Sequence, residues 1–251
     1  MIWALHYRVL RSKLEMIRDV RKSKEYFDDY IKKEIETFNE FAEMLDDEDI
    51  SESKLPLLKQ MLFNDKLDVI IAKYSRGDDI EEIILDYNQL LEIWKDICGQ
   101  EFVEVEYEGS LWVISMAVLL NVEEDVLTEI KIKLKEKHIN DWIINFLLEK
   151  DASKWSQIED ELLIPEKYQT LKKAICSSDK DLLFHYLEKE WYQNCKAYGW
   201  YDSHKLTRKS QQIYSGYWCF EAGAIVKLLK WDDSDFKEQQ YYPYDLVHYK
   251  E

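Results

Sequence analysis

Apolar residues recur along this chain at steps of three and four, the signature of amphipathic helices. Tyr26, Phe27, Tyr30, Ile31, Ile35, Phe38, Phe41, Ala42 and Leu45 form one stripe on a helix of about 23 residues. Ser23 is its expected N-cap, and Asp46-Asp-Glu-Asp49 ends it. A second helix is predicted from Leu55 to Arg76, with Pro56 in its first turn and Gly77 as a left-handed cap. Asp78 and Asp79 then suit the positive end of a third helix, whose stripe is Ile80, Ile83, Ile84, Tyr87, Leu90, Leu91 and Trp94. Gly99 closes it.

Residues 102–107 alternate weakly and predict a short extended link. Helices are expected over 109–121, 123–137 and 140–149, the first apolar on nearly every side and therefore central. Pro165 marks a break, and further helices are expected over 166–176, 179–197 and 212–230. Tyr198-Gly-Trp-Tyr-Asp-Ser-His204 reads as an ordered aromatic loop, and the tail from Asp232 has turn chemistry. The expected fold is all-α, a compact bundle of about nine to ten helices in two packed subdomains without substantial sheet. The subdomains are expected at 16–125, acidic, and 126–251, with the aromatic tail.

Composition agrees with helices. Six Gly and three Pro in 251 residues leave too few turn formers for a sandwich or barrel. Ten uncharged apolar residues, Leu111 to Leu120, are too short to span a bilayer. Cys98, Cys176, Cys195 and Cys219 are scattered without ligand spacing, so they read as reduced thiols of a cytoplasmic protein, with no metal and no cofactor.

The net charge of −17 is unevenly placed. Residues 25–125 hold 28 acidic and 8 basic side chains, residues 126–251 hold 21 and 19, and residues 1–24 carry a net +5. Nucleic acid and anionic membrane are therefore poor partners. The acidic block reads either as a solvated surface or as an interaction face. Residues 1–15 read either as an extension from an upstream start, with Met16 opening the chain, or as a short amphipathic helix through Ile2, Leu5, Val9 and Leu10.

Catalytic signals are weak. No phosphate loop, dinucleotide fingerprint, nucleophile elbow or zinc-protease motif occurs. Asp181, His185 and Glu188 share a helix face that has the residue types of a metal site but lacks a second such helix. Asp202, Ser203 and His204 are consecutive, which cannot build a hydrolase relay, so His204 is expected to hydrogen-bond in the aromatic loop. Glu221 lies in the apolar run Tyr217–Val226 and is expected to pair with a Lys, His or Tyr of the tail. The aromatic residues of the last quarter sit at core spacing.

Tyr214-Ser-Gly-Tyr-Trp-Cys-Phe-Glu-Ala-Gly-Ala-Ile-Val-Lys-Leu-Leu229, Asp232-Asp-Ser-Asp235 and Tyr241-Tyr-Pro-Tyr-Asp-Leu-Val-His248 closely resemble the C-terminal signature of PoNi-type immunity proteins, bacterial antitoxins of PoNe-type DNase effectors. Trp200-Tyr-Asp-Ser-His-Lys205 fits the segment before it. Arg18-Asp19, Glu25–Ile31 and Ala72-Lys-Tyr-Ser-Arg-Gly77 resemble the family's N-terminal domain, and Leu111–Asn121 its central helix. The resemblance leaves residues 1–15 outside, which favours Met16 as the start.

The resemblance implies a helical, non-enzymatic, cytoplasmic antitoxin whose partner is a secreted DNase toxin, with no nucleic acid or membrane partner. An immunity protein of the same fold against another toxin class is the alternative, and a helical metal-dependent enzyme a third. The expected toxin-facing carboxylates are Asp46, Asp47, Glu48, Asp49, Glu52, Asp78, Asp79, Glu81, Glu82, Glu104, Glu106 and Glu108. Trp200, Tyr201, Asp202, His204, Gly216, Tyr217, Trp218, Glu221, Asp232, Asp233, Tyr242, Pro243 and Asp245 are expected to hold the fold together.

Overall fold

The computed structural model of the chain describes residues 17–45, 47, 50–99 and 104–250. The two readings of residues 1–15 lie outside the described residues. Among the described residues eleven α-helices run in the order α1 (Lys24–Leu45), α2 (Leu55–Arg76), α3 (Ile80–Ile97), α4 (Glu104–Leu119), α5 (Glu124–Glu136), α6 (Trp142–Leu148), α7 (Pro165–Ser177), α8 (Lys180–His185), α9 (Trp191–Asn194), α10 (Phe220–Leu229) and α11 (Tyr244–Val247). Among the described residues there is no strand, so the fold is all-α. Packing divides the chain into two compact units. One holds the described residues through Ile93 together with Asp202–Tyr217; the other holds Trp94–Tyr201 and Trp218 onward.

In the first unit α1 packs along α2, and Phe27, Tyr30 and Ile31 of α1 and Leu62, Phe63 and Ile70 of α2 are all buried. Gly77 ends α2 at φ 99°, a left-handed value open to glycine. The Ser23 hydroxyl accepts from Tyr26 N at 3.3 Å, as an N-cap should. The segment 202–217 returns to this unit and is fastened by side chains. Tyr26 Oη donates to Tyr214 O and accepts from Tyr214 N, both at 3.0 Å. Tyr214 Oη donates to Asp19. Ser215 Oγ donates to Asp68 at 2.8 Å.

In the second unit α4 is buried continuously from Tyr107 to Leu120, the central position its all-round apolarity predicts. It packs against α10 and α6. Gly223 of α10 touches the tail so closely that an added Cβ would stand 2.7 Å from Pro243 Cγ. Lys227 Nζ donates to the carbonyls of Leu119 and Tyr249 at 2.8 Å and of Leu246 at 3.3 Å, satisfying helix-end acceptors.

The structure corrects four expectations. Residues 104–107 form the first turn of α4, not an extended link, because carboxylates there suit the positive helix end. Residues 179–197 are not one helix: a π-helical segment, Tyr186–Glu190, separates α8 from α9. Its wider turn lets Tyr186, Leu187 and Trp191 all point inward. The helix expected over 212–230 starts only at Phe220. Gly216 sits at φ 141°, outside helical space, and Cys219 N bonds Tyr241 O at 2.8 Å. On α1, Ile35 is 37% exposed whereas Glu34 is buried.

Candidate functional site

The twelve carboxylates expected to face a toxin meet different fates. Asp46, Glu48 and Asp49 lie outside the described residues, as does the side chain of Glu104. Asp47 and Glu52 are exposed beside the α1–α2 link, and Asp79, Glu81 and Glu82 are exposed at the start of α3. Asp78 is engaged locally: both its oxygens take hydrogen bonds from Arg76, at 2.7 and 2.6 Å. Glu106 accepts from Gly99 N at 2.7 Å, and Glu108 is buried at 6% exposure. The exposed members therefore cluster in the first unit, at the α1–α2 link and on α3.

Sequence reasoning missed three acidic groups deeper in that unit. Glu34, Asp65 and Asp68 act on one another electrostatically between α1 and α2. Burial pushes the Asp68 carboxyl up to about 7, against the hydrogen bond from Ser215, and pushes Asp65 up to about 6 with help from Glu34. Asp65 Oδ2 is buried without a hydrogen-bond partner. The available signal was spacing: Ile31, Glu34 and Phe38 fall on one helical face.

In the second unit the missed residue is Asp141. Its Oδ1 accepts from Ile143 N at 2.9 Å, Ile144 N at 3.0 Å and Tyr107 Oη at 3.1 Å, and its Oδ2 from Leu163 N at 3.0 Å. Burial raises its pKa while these donors oppose the rise. An Asp directly before Trp142-Ile-Ile is the N-cap signal that identifies it.

The weaker catalytic candidates do not assemble. His185 Nε2 lies 3.3 Å from Glu190, while Glu188 pairs with Lys189 at 2.9 Å. Among the described residues no group of three His, Cys, Asp or Glu side chains is placed to hold a metal ion. Ser203 Oγ and His204 Nδ1 both turn to the Tyr217 hydroxyl, at 3.3 and 3.0 Å, and Asp202 pairs with Lys205 at 2.7 Å. Burial, then the charge of Arg21, lowers the His204 pKa.

The signature residues are spread through both units. In the first, Tyr217 receives the guanidinium of Arg21 over its ring, 5.3 Å from the centroid. In the second, Trp200 lies against Trp112, Trp191 and Tyr198, and Tyr201 stacks on Tyr192 at 4.5 Å. Trp218 is buried, and Asp245 is exposed. Asp233 accepts from Tyr242 Oη at 2.7 Å and contacts His248 Nε2 at 3.0 Å. Asp232 is exposed, and hydrogen bonds from Ser234 lower its pKa.

Glu221 does not pair with the tail. Its Oε1 accepts from Tyr186 Oη of the π-helical segment at 3.4 Å, and its Oε2 is unpartnered. Burial raises its pKa, against hydrogen bonds that oppose the rise.

Two family models match the chain. "PoNe immunity protein (PoNi), N-terminal" covers residues 18–132, and "PoNe immunity proteins (PoNi), C-terminal" covers 139–246. No curated protein matches. Among solved structures, protein PA2201 from Pseudomonas aeruginosa is similar, with a TM-score of 0.67 and 18% identity over 98% of this chain and 95% of that one. At that identity the likeness concerns the fold. No helix among the described residues is long and apolar enough to cross a membrane.

Proposed function

We propose that this chain, which belongs to the PoNe immunity protein (PoNi) family, binds and neutralises a cognate bacterial DNase effector in the cytoplasm. The observation that carries the reading is the pair of family matches, which together take in residues 18–132 and 139–246. Neutralisation is stoichiometric binding rather than turnover.

The mode of binding is electrostatic. A DNase must attract a polyanion, so the surface around its cleft is basic. Asp47, Glu52, Asp79, Glu81 and Glu82 are exposed carboxylates on this chain, within a block of net −20. Opposite charge speeds encounter and fixes orientation. Speed has a physiological use, since a free nuclease cuts the host chromosome.

The experiment titrates the purified chain into the toxin domain encoded by the neighbouring reading frame. DNA cleavage should end near one chain per toxin, and association should slow steeply as salt rises. Cleavage that persists at excess chain overturns the neutralisation reading. Salt-independent association overturns its electrostatic part.

A further inference from the structure

One of the two long cation-free acidic stretches of the first unit, the other being residues 34–53, lies along α3. From Gly77 through Trp94 the sequence contains no Lys or Arg and six Asp or Glu residues. Ile80, Ile83, Tyr87, Leu90 and Leu91 of α3 are buried, so the opposite face of the helix is the one presented to solvent. On that face Glu81, Glu82, Leu85, Asn88, Gln89 and Glu92 are all exposed. Relative to Leu85 they stand at i−4, i−3, i+3, i+4 and i+7, the positions that surround a helical side chain.

Leu85 is 68% exposed at the centre of this ring. Of the other large exposed apolar side chains, Met44 near the end of α1 also lies in a stretch without Lys or Arg but is less exposed, at 50%. Val20, Leu57 and Ile132 each have a Lys or Arg within three residues. The cations nearest α3 are already paired: Lys66 and Lys73 lie 3.3 and 2.5 Å from Asp86, and Arg76 holds Asp78 and Asp28. α1 mixes signs only in its first half, where Lys32 pairs with Glu36 at i,i+4; from Glu34 to Leu45 it also carries no Lys or Arg, so its outer face is the competing acidic surface.

An apolar side chain framed by carboxylates and amides has the layout of an interface anchor with a polar rim. We propose that the outward face of α3, centred on Leu85, is where a basic protein surface docks. Leu85 fills an apolar notch in that surface, and the surrounding carboxylates meet its Lys and Arg side chains. This rests on the immunity reading above, and commits the partner to a basic protein.

The test uses the full chain and the inactive toxin domain encoded by the neighbouring reading frame. Leu85→Gln keeps a good helix former at an exposed site, so the thermal midpoint should not move. Affinity should fall at least tenfold, chiefly through faster dissociation. Glu81→Lys with Glu82→Lys should slow association about tenfold and flatten its salt dependence. Glu36→Lys with Glu40→Lys on α1 changes net charge equally and should alter association less than threefold.

Wild-type affinity in Leu85→Gln overturns the proposal, and so does an α1 pair that slows association as much as the α3 pair. If the wild-type chain does not bind this toxin domain, the immunity reading itself fails and the docking face falls with it.

Discussion

The two compact units keep themselves together by different means. The second is filled: α4 lies buried from Tyr107 onward, α10 packs on it, and aromatic rings meet one another from Trp112 through Trp200 and Trp191 to Tyr241. The first is stitched. Its return segment is fixed by Tyr214 to Asp19, by Tyr26 to the Tyr214 backbone and by Ser215 to Asp68. Burial of apolar area responds little to pH, whereas a carboxylate acceptor changes with its proton. The first unit is closed by carboxylate acceptors, whereas in the second the carboxyls of Asp141 and Glu221 are set within a core held mainly by packing.

The largest effect should come from cutting the stitches. A fragment of residues 18–132, the span of the N-terminal family match, lacks Tyr214 and Ser215. It should show no cooperative thermal transition by near-ultraviolet circular dichroism. A sharp transition would mean that the return segment decorates the unit and does not complete it.

Next comes a polar stitch inside the filled unit. Asp141→Ala strips the partner from three backbone N–H groups and the Tyr107 hydroxyl. It should cost about 3 kcal/mol, read as a lower urea midpoint. A loss under about 1 kcal/mol would show that packing alone holds α6, and would make the contrast between the units sharper still.

The smallest effect has a sign that decides the matter. The folded-state pKa of Asp68, about 7, lies above that of a free carboxyl, so the folded chain binds this proton more tightly. That stabilisation is full below about pH 4 and is lost as pH rises through about 7. Asp68→Asn keeps an acceptor for Ser215 and loses the charge. It should raise stability at pH 8 by about 2 kcal/mol and flatten the profile between pH 4 and 7. A variant less stable than wild type at pH 8 would mean that the ionised carboxylate is needed.

Much of this fold was legible in periodicity. The ends of α2 and α3 follow from Pro56, Gly77 and Gly99, and α4 from unbroken apolarity. Two kinds of feature were not. Periodicity assumes 3.6 residues per turn, so the π-helical segment at Tyr186–Glu190 is invisible to it, and with it the partner of Glu221. Nor does a pattern report contacts across long separations. Nothing in Tyr214-Ser-Gly announces that Tyr26 and Asp68 wait for it.

The exposed candidates were legible where they fell at true helix starts, as Asp79, Glu81 and Glu82 do. Glu106 was read within a link, when its segment is the opening of the central helix, and Glu108, one residue beyond that link, is buried there.

The return segment also sets a timetable. Ile93 and Tyr217 belong to one compact unit, yet the ribosome makes them 124 residues apart. At about 5–20 residues per second, roughly 6–25 s pass between them. During that interval α1, α2 and α3 await Tyr214 and Ser215 while most of the second unit is being synthesised. The first unit therefore waits for residues made after most of the second, and a chain stopped short of Tyr217 leaves it open however much of it has emerged.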